Sequence, residues 1–259
     1  RWNNLCSGCV SRTPACLQMC PFKALSVAGS NTETALETVT LPHAPEVIDV
    51  PPVDSFRRPP RLSLAIRGVG GQGNLFFGKV LAQVAFLAGY DDRNILKGET
   101  HGMAQMGGPV ISTFGCGEVF SPALVPGTAN VLIAMEKAEV LRPGFLDLLE
   151  PGGTVLMADT RILPHGLKPE AYPSDEAIAA QLEGYRVVSV DVLSIALNLG
   201  DPKGRCANVA MLGVLSTLPP FDVVPEAVWL QALRGISRKP ALWDLNHAAF
   251  MAGRGMQKG

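Results

Sequence analysis

The sequence has no surplus of charge of either sign. Its 22 lysines and arginines nearly match 23 aspartates and glutamates, leaving a net charge of −1, and charged residues make up only 17% of 259. With no basic stripe, nothing favours nucleic acid as a partner. No apolar stretch is long enough to span a bilayer. Val80–Tyr90 is among the longest, well short of the roughly 20 residues that a spanning helix needs. Residues 1–29 lack the continuous apolar core of a secretory signal, which points to the cytoplasm. No internal repeat is present. The first residue is Arg1 rather than Met, which suggests processing or a cut from a longer polypeptide. Apolar residues, at 47%, are plentiful enough for a sizeable core.

Cysteine is scarce except at one place. Four of the six lie within the first twenty residues, at Cys6, Cys9, Cys16 and Cys20, while Cys116 and Cys206 stand alone. Such close spacing suits metal ligands in a reduced compartment better than disulfides. The pattern is C-x2-C-x6-C-x3-C followed by Pro21. It approaches the bacterial ferredoxin run C-x2-C-x2-C-x3-C-P with a longer second gap, and points to a 4Fe-4S cluster. Structural zinc is the alternative, although zinc pairs are usually about 12–20 residues apart. In two-cluster ferredoxins the fourth cysteine serves the other cluster. Cys20 therefore either shares the cluster of Cys6, Cys9 and Cys16 or serves one completed from upstream. Residues 1–29 carry Arg1, Arg12 and Lys23 and no acid, so the segment is net +3. Positive surroundings favour the reduced cluster and a fixed relay over a free acidic shuttle.

Three parts follow from composition. Residues 1–29 form the cysteine segment, and residues 30–60, with six prolines from Pro42 to Pro60, form a linker running extended over a surface. Residues 61–259 alternate strand and helix signals. That alternation predicts an α/β, three-layer sandwich with a largely parallel sheet, preceded by the small ferredoxin-like segment. Strands are expected at Leu62–Arg67, Val110–Phe114, Val131–Met135, Thr154–Ala158 and Tyr185–Val190. Helices are expected at Leu75–Ala88, Ala138–Leu149 (bent near Pro143), Val192–Leu199, Ala207–Ser216, Pro225–Leu233 and Leu242–Ala252.

Two glycine-rich segments hold the candidate ligand-binding residues. Gly68, Gly70 and Gly73 fit G-x-G-x-x-G between a predicted strand and a predicted helix. Gly71, Gln72 and Asn74 complete the turn. Backbone amides at such a helix start can cradle a phosphate, with Gly70 the expected point of close approach or positive φ. Asp91 or Asp92 stands where a dinucleotide-binding fold places its ribose ligand. A tight packing turn would use the same glycines. The second segment contains His101, Gln105, Gly107 and Gly108. His101 could act as general acid or base, but no paired acid or nucleophile accompanies it, so a histidine bonded to backbone is the simpler reading. Met103 and Met106 are expected to pack.

Taken in order, G-V-G-G-Q-G at 68–73, H-G-M-A-Q-M-G-G at 101–108, G-E-V-F-S-P at 117–122, A-N-V-L-I-A-M-E at 129–136 and N-V-A-M-L-G at 208–213 resemble the gamma domain of 2-oxoacid:ferredoxin oxidoreductases, nearest to the indolepyruvate type. Met106 stands where the family usually has arginine. The cysteine segment resembles the ferredoxin tail of the partner subunit. The resemblance implies oxidative decarboxylation of a 2-oxoacid on thiamine diphosphate and magnesium, transfer of the acyl group to coenzyme A, and electrons passing through 4Fe-4S clusters to ferredoxin. The only Gly-Asp, Gly200-Asp201, continues with Pro202 rather than with a diphosphate–magnesium motif. The thiamine chemistry is therefore expected on partner alpha/beta subunits or segments of a hetero-oligomer or longer fused chain, with no catalytic residue here. The glycine loops would face the active centre or the coenzyme A path. A Rossmann-type NAD or FAD reductase module with an iron–sulfur relay, or a zinc assembly module, would be the alternatives.

Overall fold

The computed structural model describes residues 39–99, 108–163, 169–237 and 239–256. Cys6, Cys9, Cys16 and Cys20 fall outside them, as do His101, Gln105 and Gly107. Six strands form one sheet: β1 (Arg61–Val69), β2 (Ile95–Glu99), β3 (Pro109–Gly117), β4 (Ala129–Ala134), β5 (Leu149–Ala158) and β6 (Arg186–Val190), in spatial order β2-β3-β1-β4-β5-β6. The helices are α1 (Asn74–Leu87), α2 (Asp175–Gln181), α3 (Val192–Asn198), α4 (Ala207–Leu215), α5 (Glu226–Ile236) and α6 (Pro240–Gly255).

The sheet is mixed rather than largely parallel. β1, β4, β5 and β6 run parallel, whereas β3 is antiparallel to both β1 and β2. The cause is the length of the connection: only nine residues separate Glu99 of β2 from Pro109 of β3, fewer than the dozen or so that a parallel crossover needs, so β3 returns against β2 and slots between it and β1.

Alternation along β1 splits the core. Leu62, Leu64 and Ile66 face a large cluster with Phe77 and Leu81 of α1, Trp229 of α5 and Phe250 of α6. Ala65 faces a smaller cluster with Phe145, Ile178 and Leu182. Both faces of the central strands are covered, so β4 is buried at all six positions and reads as a continuous apolar run. All nine residues of α4 are buried too. It packs on α6 backbone to backbone: a Cβ on Gly213 would run into Phe250 O, and one on Gly253 into Ala210 O.

The helix expected over 138–149 is instead two 3-10 turns, Lys137–Leu141 and Leu146–Leu148. Pro143 supplies no amide and Gly144 has φ 78°, so the chain reverses between them. Residues 39–60 run across the surface with one 3-10 turn, Val53–Ser55. The amide of Ala44 donates to Asp244 Oδ1 (2.9 Å), Trp243 Nε1 to Pro45 O (3.1 Å) and Tyr90 OH to Pro59 O (2.8 Å). Val39 sits against Gly200, and Val53 against Gly89.

Candidate functional site

β1 ends at Val69, and the chain turns through Gly70–Gly73 into α1. The left-handed residues are Gly71 (φ 99°) and Gly73 (φ 85°) rather than Gly70. Gly70 uses its amide instead, donating to Gly108 O (3.0 Å) and tying the turn to the start of β3. Gln72 is a strut. The amide of Val69 donates to its Oε1 (2.7 Å), and its Nε2 donates to Met135 O (2.6 Å), clamping the ends of β1 and β4. Gly68 lies beneath: a Cβ there would stand 2.8 Å from Gln72 Oε1 and 3.0 Å from Met135 Cβ. Two of the candidate ligand residues, Gly68 and Gln72, are thus built into the turn itself.

Beside the turn, at the carboxyl ends of the parallel strands, lies a cavity of about 520 Å³. This is where open α/β sheets bind ligands. Gly71–Gly73 form one wall. Phe76, Met135, Val192, Leu193 and Leu242 make most of the interior apolar, and Lys203 and Arg205 stand on the loop before α4. Neither α1 nor α4 has a side chain capping its first turn. The uncapped amides at the start of α1 and the ammonium of Lys203 favour an anion at the mouth, whereas Arg205 and the amide of Cys206 at the start of α4 are already taken by the carboxylate of Asp201.

Three buried polar atoms around Gly73 have no partner: Asn74 Oδ1 and Nδ2, and Asn208 Oδ1. Asn208 Nδ2 lies where a Cβ of Gly73 would project, so glycine is required there on two counts, φ and space. Asp201, 2% exposed, accepts from the amide of Cys206 (2.8 Å) and pairs with Arg205 Nε (3.6 Å). Burial pushes the Cys206 thiol up to about 12, with the nearby Asp201 adding to the effect, so it is no thiolate nucleophile. The described lining contains no histidine, cysteine or carboxylate. It can hold a ligand but offers no acid–base pair or nucleophile of the usual kinds.

On the far face of β4, Tyr172 OH donates to Glu136, which also accepts from the amide of Ile162 (3.3 Å). Burial raises the Glu136 carboxyl above the usual range. Glu139 pairs with Arg67 (3.5 Å) and Arg142 (2.8 Å). These contacts brace the segment after β4 and lie outside the cavity lining.

The ribose position of a dinucleotide site is not formed. Asp91 and Asp92 precede β2, whose first residue Ile95 lies level with Leu62 through Cys116. They are seven residues of strand from Val69, roughly 20 Å at the opposite end of the sheet. Asp91 is held by Arg93 (2.9 Å), which lowers its carboxyl to about 2.

Lys203, Arg205 and Asn208 went unmarked in the sequence as site residues. A signal was available: two basic residues flanking Gly204, in a loop that leads into a helix start.

Comparison with known proteins gives a consistent result. Indolepyruvate oxidoreductase subunit IorB of Thermococcus kodakarensis is 33% identical over 197 residues, 74% of this chain and 93% of that protein. Pyruvate oxidoreductase subunit PORC of Thermotoga maritima superposes with a TM-score of 0.56 at 20% identity, over 76% of this chain and 97% of that one. A chain of 2-oxoglutarate:ferredoxin oxidoreductase from Magnetococcus marinus, solved with 2-oxoglutarate, coenzyme A and succinyl-CoA bound, gives 0.56 at 19% identity, over 78% of this chain and 32% of that one. At such identities the two structures attest the fold. Residues 63–256 match the family described as pyruvate ferredoxin/flavodoxin oxidoreductase, and the chain belongs to that family.

Proposed function

We propose that this chain is the gamma-type component of a 2-oxoacid:ferredoxin oxidoreductase acting on aryl pyruvates of the indolepyruvate kind. It assembles with partner subunits or segments that carry thiamine diphosphate and magnesium, where the carbanion chemistry takes place. One observation supports this division of labour above the others: a cavity at the carboxyl ends of the strands, with a cationic mouth and no acid–base pair or nucleophile in its described lining. Such a site binds and positions. The carboxylate of the only Gly-Asp, Asp201, is engaged by Cys206 N and Arg205, so it does not suit a metal–diphosphate role.

The chain's contribution is to hold the anionic, apolar-bodied acyl carrier at the active centre. Coenzyme A supplies a thiol to accept the acyl group. Lys203 and the uncapped first turn of α1 neutralise its phosphates, and Gln72 fixes the turn that walls the site. Cys6, Cys9, Cys16 and Cys20 would hold a 4Fe-4S cluster that passes electrons towards ferredoxin.

The test is reconstitution. Mixed with the thiamine-bearing partner, the chain should restore indolepyruvate- and coenzyme A-dependent reduction of ferredoxin. Alone, with thiamine diphosphate and magnesium, it should do nothing. Turnover by the pure chain would overturn the assignment.

A further inference from the structure

A second cleft lies at the opposite end of the sheet, where β1, β4 and β5 begin, and the functional reading above makes no use of it. Its volume of about 450 Å³ is that of a small-molecule site. Pyrrolidine rings form its apolar walls: Pro59 and Pro60 precede β1, Pro151 lies within β5, and Pro219 and Pro220 follow α4. Proline and aromatic rings are natural partners, the pairing used when proline-rich peptides dock on aromatic grooves, because the electron-rich ring face meets the C–H edges. Walls of this kind suit an aromatic body.

The polar lining narrows the ligand further. Glu150 is already engaged, accepting from Arg61 (3.0 Å) and from Asn130 Nδ2 (2.6 Å). Glu118 is not: it is exposed, and among the described residues its carboxylate has no partner. Its position is fixed, since Gly117 lies opposite Arg61 in the β1–β3 ladder and Glu118 N donates to Pro60 O (2.9 Å). Arg61 is 35% exposed and meets Glu150 through one nitrogen, which leaves further guanidinium N–H donors for a second carboxylate. Side by side, therefore, stand an acid open to a cation and a base open to an anion. Two acids against one base leave the lining at −1, which disfavours a ligand that is only an anion.

We propose that this cleft binds an aromatic amino acid as its zwitterion. The ring lies among the prolines, the ammonium meets Glu118, and the carboxylate meets Arg61. The matching aryl 2-oxoacid has the same ring and carboxylate but no ammonium, so the cleft tells the amino acid from the oxoacid that differs from it only at the α-carbon. The site stands apart from the cavity at the carboxyl ends of the strands, and the inference does not depend on what that cavity holds.

The full chain is titrated calorimetrically with phenylalanine and tryptophan, and with three compounds that each lack one feature: leucine (no aromatic ring), phenethylamine (no carboxylate) and phenylpyruvate (no ammonium). Phenylalanine or tryptophan should bind at millimolar concentration or below. Phenylpyruvate should bind about ten-fold weaker, since it loses one charge-assisted contact and adds a negative charge to a negative lining. Leucine and phenethylamine should also bind more weakly than phenylalanine. Glu118→Gln, at an exposed side chain that makes no contact within the described residues, should keep the melting temperature, weaken the amino acid about five-fold and leave phenylpyruvate unchanged. No binding of either aromatic amino acid at millimolar concentration, binding of leucine, phenethylamine or phenylpyruvate as tight as that of phenylalanine, or binding of phenylalanine that Glu118→Gln does not weaken would overturn the inference.

Discussion

Gly71 and Gly73 sit two residues apart in the same turn, and both are left-handed, at φ 99° and 85°. Their surroundings differ. A Cβ on Gly71 meets nothing within 4 Å, whereas one on Gly73 would collide with Asn208 Nδ2. Alanine at Gly71 should therefore suffer only the backbone penalty, about 1–2 kcal/mol, less the roughly 0.4–1 kcal/mol returned by a stiffer unfolded chain. The net is near 1 kcal/mol. Alanine at Gly73 adds an overpacking cost of about 1–3 kcal/mol, because the buried Asn208 amide on α4 must shift towards the adjoining cavity to make room for the new methyl group. For a chain of this length, about 2–4 °C per kcal/mol translates into a small fall in melting temperature for Gly71→Ala and roughly 4–16 °C for Gly73→Ala. Thermal and denaturant unfolding on the same preparations would measure both. Asn208→Ala supplies the control: combined with Gly73→Ala it should recover the overpacking part and none of the backbone part, a coupling that a double-mutant cycle isolates. If the two glycine substitutions cost the same, or if Asn208→Ala brings no recovery, the contact between the glycine turn and α4 is misread.

Two more outcomes follow from features already described. Gln72→Leu should destabilise by about 2–4 kcal/mol, because it leaves Val69 N and Met135 O without their partners at the ends of two buried strands, and the denaturation midpoint would show it; an unchanged midpoint would mean that water replaces the strut. Anaerobically purified protein should be brown, contain iron and acid-labile sulfide, and bleach with dithionite, on the strength of the Cys6–Cys20 spacing and Pro21; zinc without iron would count against a cluster.

The sequence was most readable where local signals agreed. The strand into Gly68–Gly73 and the helix after it were visible because an apolar run, a glycine turn and a 3.6-residue period meet there. β2 was missed. Ile95–Glu99 is short, interrupted by Gly98, and carries Lys97 and Glu99 on an edge, so no alternation announces it. α2 was missed despite a capping signal. Ser174 accepts from Ala177 N (3.2 Å), and Asp175 and Glu176 fill the first turn, but seven residues are too few to show a period. The mixed sheet was not readable because β2 itself went unseen, and with it the short link that makes β3 antiparallel. For the site, Gly71 and Gly73 could be named, but their partners could not. Asn208 meets Gly73 only because α4 packs against the glycine turn, a contact across more than a hundred residues that no local pattern encodes.

The attachment of residues 39–60 has a consequence for how the chain is made. Ala44 and Pro45 are held by Asp244 and Trp243 of α6, two hundred positions later. At synthesis rates of about 5–20 residues per second, this early segment waits ten seconds or more for its anchor, long after β1 has found β3 and β4. It is therefore among the last pieces to seat, and its seating reports that translation has reached α6. A chain stalled or clipped before Trp243 would keep the contacts of Val53 and Pro59 with Gly89 and Tyr90 but leave Ala44 and Pro45 without their anchor, a site for a protease to find. The seating of Ala44 and Pro45 thus tells chains that carry α6 from chains that lack it.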